Sequence, residues 1–378
     1  MPSDSDVLDA VDARKETIQQ VVEFVHAHPE LGHAEYVSSA YLAGRLEDAG
    51  LTVERGIGGM QTAFRATLSG AMPGNTVGLV MLYDAVPSVQ PDGSIVPVHS
   101  CGHGPISGGV IAAVSALASL REQLAGQVIV LGCPADEIHA PAALTRGGGK
   151  AISAAAGLWD DMDAALYAHP EFINTVSKKS LYMRRDTLHV FGSRSLARGV
   201  VQTPIVALRQ LMAALDESDP ASVMLEHARL DGDVEEATGL VFDATVLHFA
   251  GTAAEITAAA GRLRERMQLG EWSSGELVLG IRPNDAVTSA VAGAFRAAGR
   301  DFVYDPPPLP FATDFGNISH RVPAALIGVG QPGGWSYHTE AGAAQFGSRA
   351  GLEAALDIAR VLALSATRLS AWQIDAVL

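Results

Sequence analysis

Two short stretches of this chain crowd together side chains that bind divalent metals. One is Ser100-Cys101-Gly102-His103 and the other is Cys133-Pro134-Ala135-Asp136-Glu137. Thiolate, imidazole and carboxylate are the usual zinc donors, so these residues could hold one ion or a bridged pair. Taken singly they are weak signals. A lone histidine is more often a hydrogen-bonded core residue, a cysteine a small packing group, and an acidic pair a solvated surface. Their shared placement makes the case, because ligands of an open α/β sheet collect beyond the carboxyl ends of its strands. Asp84 follows the apolar run TVGLVMLY (76–83), Asp136 and Glu137 follow QVIVLGC (127–133), and His169 follows DAALYA (163–168). His338 lies in the loop after AALIGVG (324–330). Cys101 and His103 precede a helix, and two positions apart in an extended segment their side chains point the same way.

The elements that must position this set alternate between strand and helix patterns. Helices are expected around 7–27 and 36–50, over SGGVIAAVSALASLRE (107–122), and from about 347 to 369. The middle of the chain reads differently: strand 181–192, helix 203–216, strands 223–230 and 239–249, helix 253–268 and strand 275–282. That βαββαβ order is ferredoxin-like. The expected fold is α/β, with residues 1–178 and 295–378 forming the metal-binding domain and 179–294 an inserted ferredoxin-like α+β domain.

Bulk properties narrow the function. At 378 residues, two domains are the default. A 48% hydrophobic and 18% charged composition is that of a packed globular protein. A formal charge of −16 repels phosphate backbones and anionic lipid heads, so a small-molecule substrate is expected rather than nucleic acid or membrane. No run approaches the ~18 apolar residues of a membrane helix. The acidic start, MPSDSDVLDAVDARKE, lacks the features of a secretory signal, so a cytoplasmic location is expected, with Cys101 and Cys133 reduced. Cys133 reads as a small strand residue. The glycines at 147–149 lack the frame of a phosphate loop and read as a turn.

The ordered motifs HPELGHAEY (28–36), SCGHGPISG (100–108), CPADE (133–137), and TDFGNISHRVP (313–323) with YHTEAGA (337–343) span nearly the whole chain. They resemble the zinc amidohydrolase and peptidase family of aminoacylase, carboxypeptidase G and indole-acetyl-amino-acid hydrolases. Together with GGGKAISAAAGLWDDMDAALYAHP (147–170), the last motif resembles the branch of p-aminobenzoyl-glutamate hydrolase and β-alanyl-lysine dipeptidase. The resemblance implies a metallopeptidase-like catalytic domain and one or two divalent ions (Zn, Mn or Co) held by Cys101, His103, Glu137, His169 and His338. Cys101 would bridge them, and Asp84 would orient a ligand. Asp136 takes the place of the family's catalytic glutamate, the general base, one methylene shorter. The resemblance also implies that the inserted domain serves as lid and homodimer contact.

The pattern breaks where the family grips substrate. Leu196 replaces a histidine that stabilises the oxyanion, and loss of one such donor costs roughly 10² to 10³ in rate. Ala237 replaces an asparagine, and Ala250 replaces an arginine whose planar fork binds the substrate carboxylate. Gly104 stands where relatives have Asp or Asn. Arg184, Arg185, His189, His248 and His320 are candidate replacement contacts. The expectation is a metal-dependent hydrolase of a C–N bond, amide or activated amine, in a small substrate without a free α-carboxylate. The alternative is a non-catalytic binding or regulatory relative that keeps the metal.

Overall fold

The computed structural model describes residues 1–192, 203–232 and 239–371. Leu196 and Ala237 fall outside these residues. The chain divides into two compact units, one of Met1–Lys179, Ile281–Pro307 and Asn317–Leu378, the other of Ser180–Gly280 and Pro308–Gly316. The larger unit takes back residues 281–294, which the sequence placed in the insertion. The reason is packing: helix Asp285–Ala297 buries Val287, Val291 and Phe295 and lies against the final helix, Arg349–Ala371, and strand Ala324–Gly330.

In chain order the strands are β1 (Thr52–Arg55), β2 (Phe64–Ser69), β3 (Met72–Met81), β4 (Val86–Val89), β5 (Ile95–Val98), β6 (Ala125–Gly132), β7 (Ala164–Glu171), β8 (Tyr182–Gly192), β9 (Val223–Gly232), β10 (Leu240–Ala250), β11 (Glu271–Val278) and β12 (Ala324–Gly330). The larger unit holds a six-stranded sheet in the order β1-β2-β6-β3-β7-β12. β6, β3, β7 and β12 are mutually parallel, whereas β1 and β2 add an antiparallel edge. Every residue of β12 and Val77–Met81 of β3 are buried, the continuous apolar pattern of parallel strands covered on both faces. Helix His103–Ser119 is buried on nearly every side against the final helix, which its uniformly apolar sequence permits. The expected helix 7–27 is two helices, Asp4–Asp12 and Lys15–Ala27.

The smaller unit runs β8, helix Thr203–Asp216, β9, β10, helix Ala253–Arg266, β11, with antiparallel sheet order β11-β8-β10-β9. This is the ferredoxin-like arrangement. One sheet face packs Leu188, Val190, Phe242, Ala244 and Val246 against Ala207, Leu211 and Leu263 of the two helices.

Candidate metal centre

The carboxyl ends of the central strands bring the sequence candidates together, and all of them lie in the larger unit. Two groups of potential ligand atoms form, Cys101–His103–His169 and Cys101–Glu137–His338, each with its atoms within 4.8 Å of one another. The Cys101 Sγ belongs to both. It stands 3.8 Å from His169 Nε2 and 3.4 Å from His338 Nε2. His338 Nε2 is 3.6 Å from Glu137 Oε2, and His103 Nε2 is 3.8 Å from Glu137 Oε1.

Each element delivers its residue by a different local device. Cys101 and His103 do not converge by extended geometry, as expected from their spacing. Gly102 between them is left-handed at φ 96° and His103 opens the helix, so the turn brings the two side chains together. A glycine is required there, since an added Cβ would also lie 2.9 Å from the Pro170 ring. His169 lies inside β7, opposite Gly328 of β12, rather than in the loop beyond. His338 is held at φ 57° with its backbone N–H donated to Ser100 O at 2.9 Å. The loop carrying Asp136 and Glu137 turns at Ala135, also left-handed at φ 53°. Gly149 meets that loop so closely that a Cβ would sit 2.0 Å from the Pro134 carbonyl oxygen, which explains this member of the glycine run.

Hydrogen bonds choose which imidazole nitrogen faces the site. His103 donates Nδ1–H to the Asp84 carbonyl at 2.6 Å, and His169 donates Nδ1–H to the Pro170 carbonyl at 2.6 Å. In the neutral imidazole this turns Nε2 toward the cluster, the tautomer a metal requires. Asp84, 1% exposed, accepts the Glu137 N–H on Oδ2 at 3.0 Å and sets Oδ1 3.1 Å from His103 Nδ1. One buried carboxylate thus ties two candidate ligands from two loops.

Burial is also what shifts the protonation equilibria. It pushes Glu137 up to about 7 and the Cys101 thiol up to about 12, with Glu137's charge adding to the latter. It pushes His169 down to about 3. In Asp84 burial works upward but the His103 imidazole overrides it and holds the carboxyl low. In His103 burial works downward but Asp84 lifts it well above the ordinary histidine range.

This donor set fits a divalent cation. His103 Nε2 and Glu137 Oε1 are buried without a hydrogen-bond partner, a costly arrangement that a cation would relieve. With zinc–sulfur bonds of about 2.3 Å and zinc–nitrogen bonds of about 2.0–2.1 Å, two tetrahedral ligands lie about 3.6 Å apart, close to the separations seen from Cys101.

Asp136 stands beside these groups, its Oδ2 3.3 Å from His103 Nε2. Its other oxygen takes an ion pair from Lys150, a wholly buried lysine whose ammonium also lies 5.3 Å from the Tyr167 ring centre. Neither Lys150 nor the buried Glu35 was singled out from the sequence. The only local signal for Lys150 was its place directly after the glycine turn. Cys133 is buried just past β6, as a packing residue would be.

The candidate replacement contacts in the smaller unit are engaged there. Asp186 accepts from Arg184 and Arg264, Arg185 pairs with Glu226 at 2.8 Å, and His189 Nδ1 lies 2.5 Å from Asp243. His248 is buried 3.5 Å from Asp186. Ala250 closes β10 with only a methyl group to offer. His320 belongs to the larger unit.

Over 174 residues the chain is 33% identical to one of the subunits of p-aminobenzoyl-glutamate hydrolase from Escherichia coli, covering 43% of this chain and 34% of that protein. The chain thus matches about a third of that relative's length. Over 343 residues it is 26% identical to mouse Xaa-Arg dipeptidase, covering 82% and 74% respectively. Among solved structures, a dinuclear metal-binding peptidase of the M20 family from Bacillus subtilis superposes with a TM-score of 0.71 at 18% identity over 95% of this chain and 99% of that one. An aminobenzoyl-glutamate utilization protein from Klebsiella pneumoniae gives 0.71 at 14% identity, over 95% and 97%. The family model for peptidase family M20/M25/M40 matches residues 83–363, a span that runs from the residue before Asp84 past His338, and the chain belongs to that family.

Proposed function

We propose that the protein is a metal-dependent hydrolase that cleaves a C–N bond, amide or activated amine, in a small substrate without a free α-carboxylate. The observation that carries this reading is the pair of donor groups sharing the Cys101 sulfur, set at the sheet's carboxyl edge beside an acid, Asp136, that is left outside both groups. Cys101, His103, Glu137, His169 and His338 would hold one or two ions, zinc, manganese or cobalt, with the cysteine shared. A divalent ion there acidifies water and polarises a carbonyl oxygen.

The remaining chemistry belongs to the chain. Asp136 takes the proton from the attacking water and returns it to the leaving nitrogen, the work of a general base that turns general acid. Lys150 balances its charge and fixes the direction of its carboxylate. Asp84 keeps His103 and Glu137 in register. The absence of an α-carboxylate from the substrate is inferred from Ala250, which cannot donate a hydrogen bond where relatives have arginine. Leu196 removes an oxyanion donor in the same way and favours an activated leaving group. The insertion would serve as lid and homodimer contact. A cytoplasmic location suits two cysteines that are both free thiols.

The test is turnover of a panel of amides and arylamines, with and without an α-carboxylate, by metal-reconstituted wild type and Glu137→Ala. Metal-dependent turnover of the substrates lacking the carboxylate, abolished in the variant, is the expected result. Efficient cleavage of ordinary N-acyl amino acids would refute the lost-clamp reading. Full metal occupancy with no turnover at all would refute the enzyme.

A further inference from the structure

The motif HPELGHAEY has no part in the chemistry above, yet it touches three of the loops that do. The Ala85 N–H, next to Asp84, donates to the Glu30 carbonyl at 2.8 Å. The Ala135 N–H, next to Asp136, donates to Glu35 Oε1 at 2.8 Å. His33 donates from Nε2 to the carbonyl of Gly147, in the turn before Lys150, at 2.8 Å. The segment is itself held firmly. The Glu30 carboxylate accepts the Val37 and Ser38 N–H groups at 2.9 and 2.8 Å, supplying the cap that helix Tyr36–Asp48 otherwise lacks. Gly32 packs so tightly that a Cβ would come within 2.8 Å of the Ala135 side chain.

Glu35 is the central contact. Its side chain is wholly buried, with one oxygen on Ala135 and the other accepting the Thr62 hydroxyl at 2.8 Å. Ala135 is a non-glycine residue at positive φ, a conformation that persists only where surroundings enforce it. A hydrogen bond donated by that residue's own amide to a buried carboxyl oxygen enforces it directly. The two residues that follow Ala135 are Asp136 and Glu137, so a relaxed backbone there would move both.

We infer that Glu35 and His33 are positioning residues: the N-terminal motif is a brace that sets the geometry of the metal centre through the backbone of Ala135 and Gly147. This inference rests on the metal reading of the site. It is tested by titrating the full-length protein with cobalt(II) and following the thiolate-to-cobalt absorption of Cys101. Glu35→Leu, which removes the acceptor, is expected to weaken cobalt binding roughly 10- to 100-fold and to shift the band, as loss of supporting partners commonly does. Glu35→Gln keeps an acceptor for Ala135 and is expected to restore near-wild-type affinity and band position. Thr62→Val removes only the other hydrogen bond of Glu35 and should leave both readouts unchanged.

Should Glu35→Leu not fold, His33→Gly tests the brace from its other arm: glycine accepts the left-handed backbone at this position, φ 62°, and the variant loses the bond to Gly147 together with the buried ring. It is expected to weaken cobalt binding by roughly 10-fold. Wild-type affinity in the variants that lose a brace contact would overturn the inference. So would an equal loss in Thr62→Val, which would reduce Glu35 to general packing. Failure of the wild type itself to bind cobalt would instead overturn the metal reading, and the brace with it.

Discussion

Replacing Asp84 by Asn changes one atom and conserves volume, yet it should loosen two candidate ligands at once. Asp84 Oδ2 accepts from the Glu137 N–H at 3.0 Å, and Oδ1 faces His103 Nδ1 at 3.1 Å. Both neighbours present N–H groups and no acceptor, so whichever way the new amide turns, its buried NH2 group finds nothing to donate to. Leaving one buried donor unsatisfied costs roughly 1–3 kcal/mol. Loss of a partner that orients a ligand lowers metal affinity roughly 10- to 100-fold, or about 1.4–2.8 kcal/mol, which is the same range reached independently. Calorimetric zinc titration against a competing chelator measures this directly. The melting temperature gives a second reading, because the stabilisation by bound metal shrinks with the logarithm of its affinity. Affinity within about two-fold of wild type would refute the orienting role, and a loss beyond about 10⁴-fold would make Asp84 a ligand in its own right.

Because Cys101 belongs to both donor groups and His169 to one, Cys101→Ala should lower zinc content at both positions, whereas His169→Ala should spare the group containing Glu137 and His338. Equal zinc content per chain in the two variants would count against a shared sulfur. Burial, with the charge of Asp84, pushes Glu35 from 4.5 up to about 7, so between those values the folded protein keeps a proton that the unfolded chain has released, and stability falls as pH rises through that window. Glu35→Gln removes that titration, and denaturant unfolding should show the variant gaining on wild type by up to about 3 kcal/mol from pH 4.5 to 7; parallel stability profiles would refute this. Gly104→Ala should raise the melting temperature slightly, by about 0.5–1 kcal/mol of stability, since its Cβ comes no closer than 3.6 Å to Val22 O in a helix that gains from alanine. Gly109→Ala should instead destabilise by about 1–3 kcal/mol, because its Cβ would lie 2.5 Å from Ile358 of the final helix; a melting temperature at or above wild type would refute the packing argument.

Much of the site was legible in the sequence because its signals are local. Asp84, Glu137 and His169 could be nominated because each sits at or near the end of an apolar run that reads as a buried strand, and Cys101, His103 and His338 because donor chemistry is a property of residue type. The βαββαβ order of the insertion was likewise readable from hydrophobic period, because β8 to β11 and their helices each bury one face. The same local reading could not tell that helix Asp285–Ala297 belongs to the larger unit. An apolar stripe of Val287, Val291 and Phe295 states that a face is buried, not against what. The strands β1 and β2 were not among the expected elements: β1, at the sheet's edge, is four residues long, and β2 is six, although its alternation of Phe64, Ala66 and Leu68 with polar residues is the pattern of a half-buried strand.

The amino-acid sequence by itself therefore determined the chemistry available to this protein and the order of its elements, both written in residue type and short-range pattern. Tertiary structure alone decided which groups meet. Glu35 reaches the amide of Ala135 across 100 residues of chain, and His33 reaches Gly147 across 114. Gly102, by turning left-handed, converts a two-residue spacing into a shared site. Lys150 becomes the partner of Asp136 only because Gly149 lets its helix approach the Pro134 loop without a Cβ in the way. Such pairings depend on where the backbone carries each group, and burial then sets their charge states, so neither can be read from any single segment.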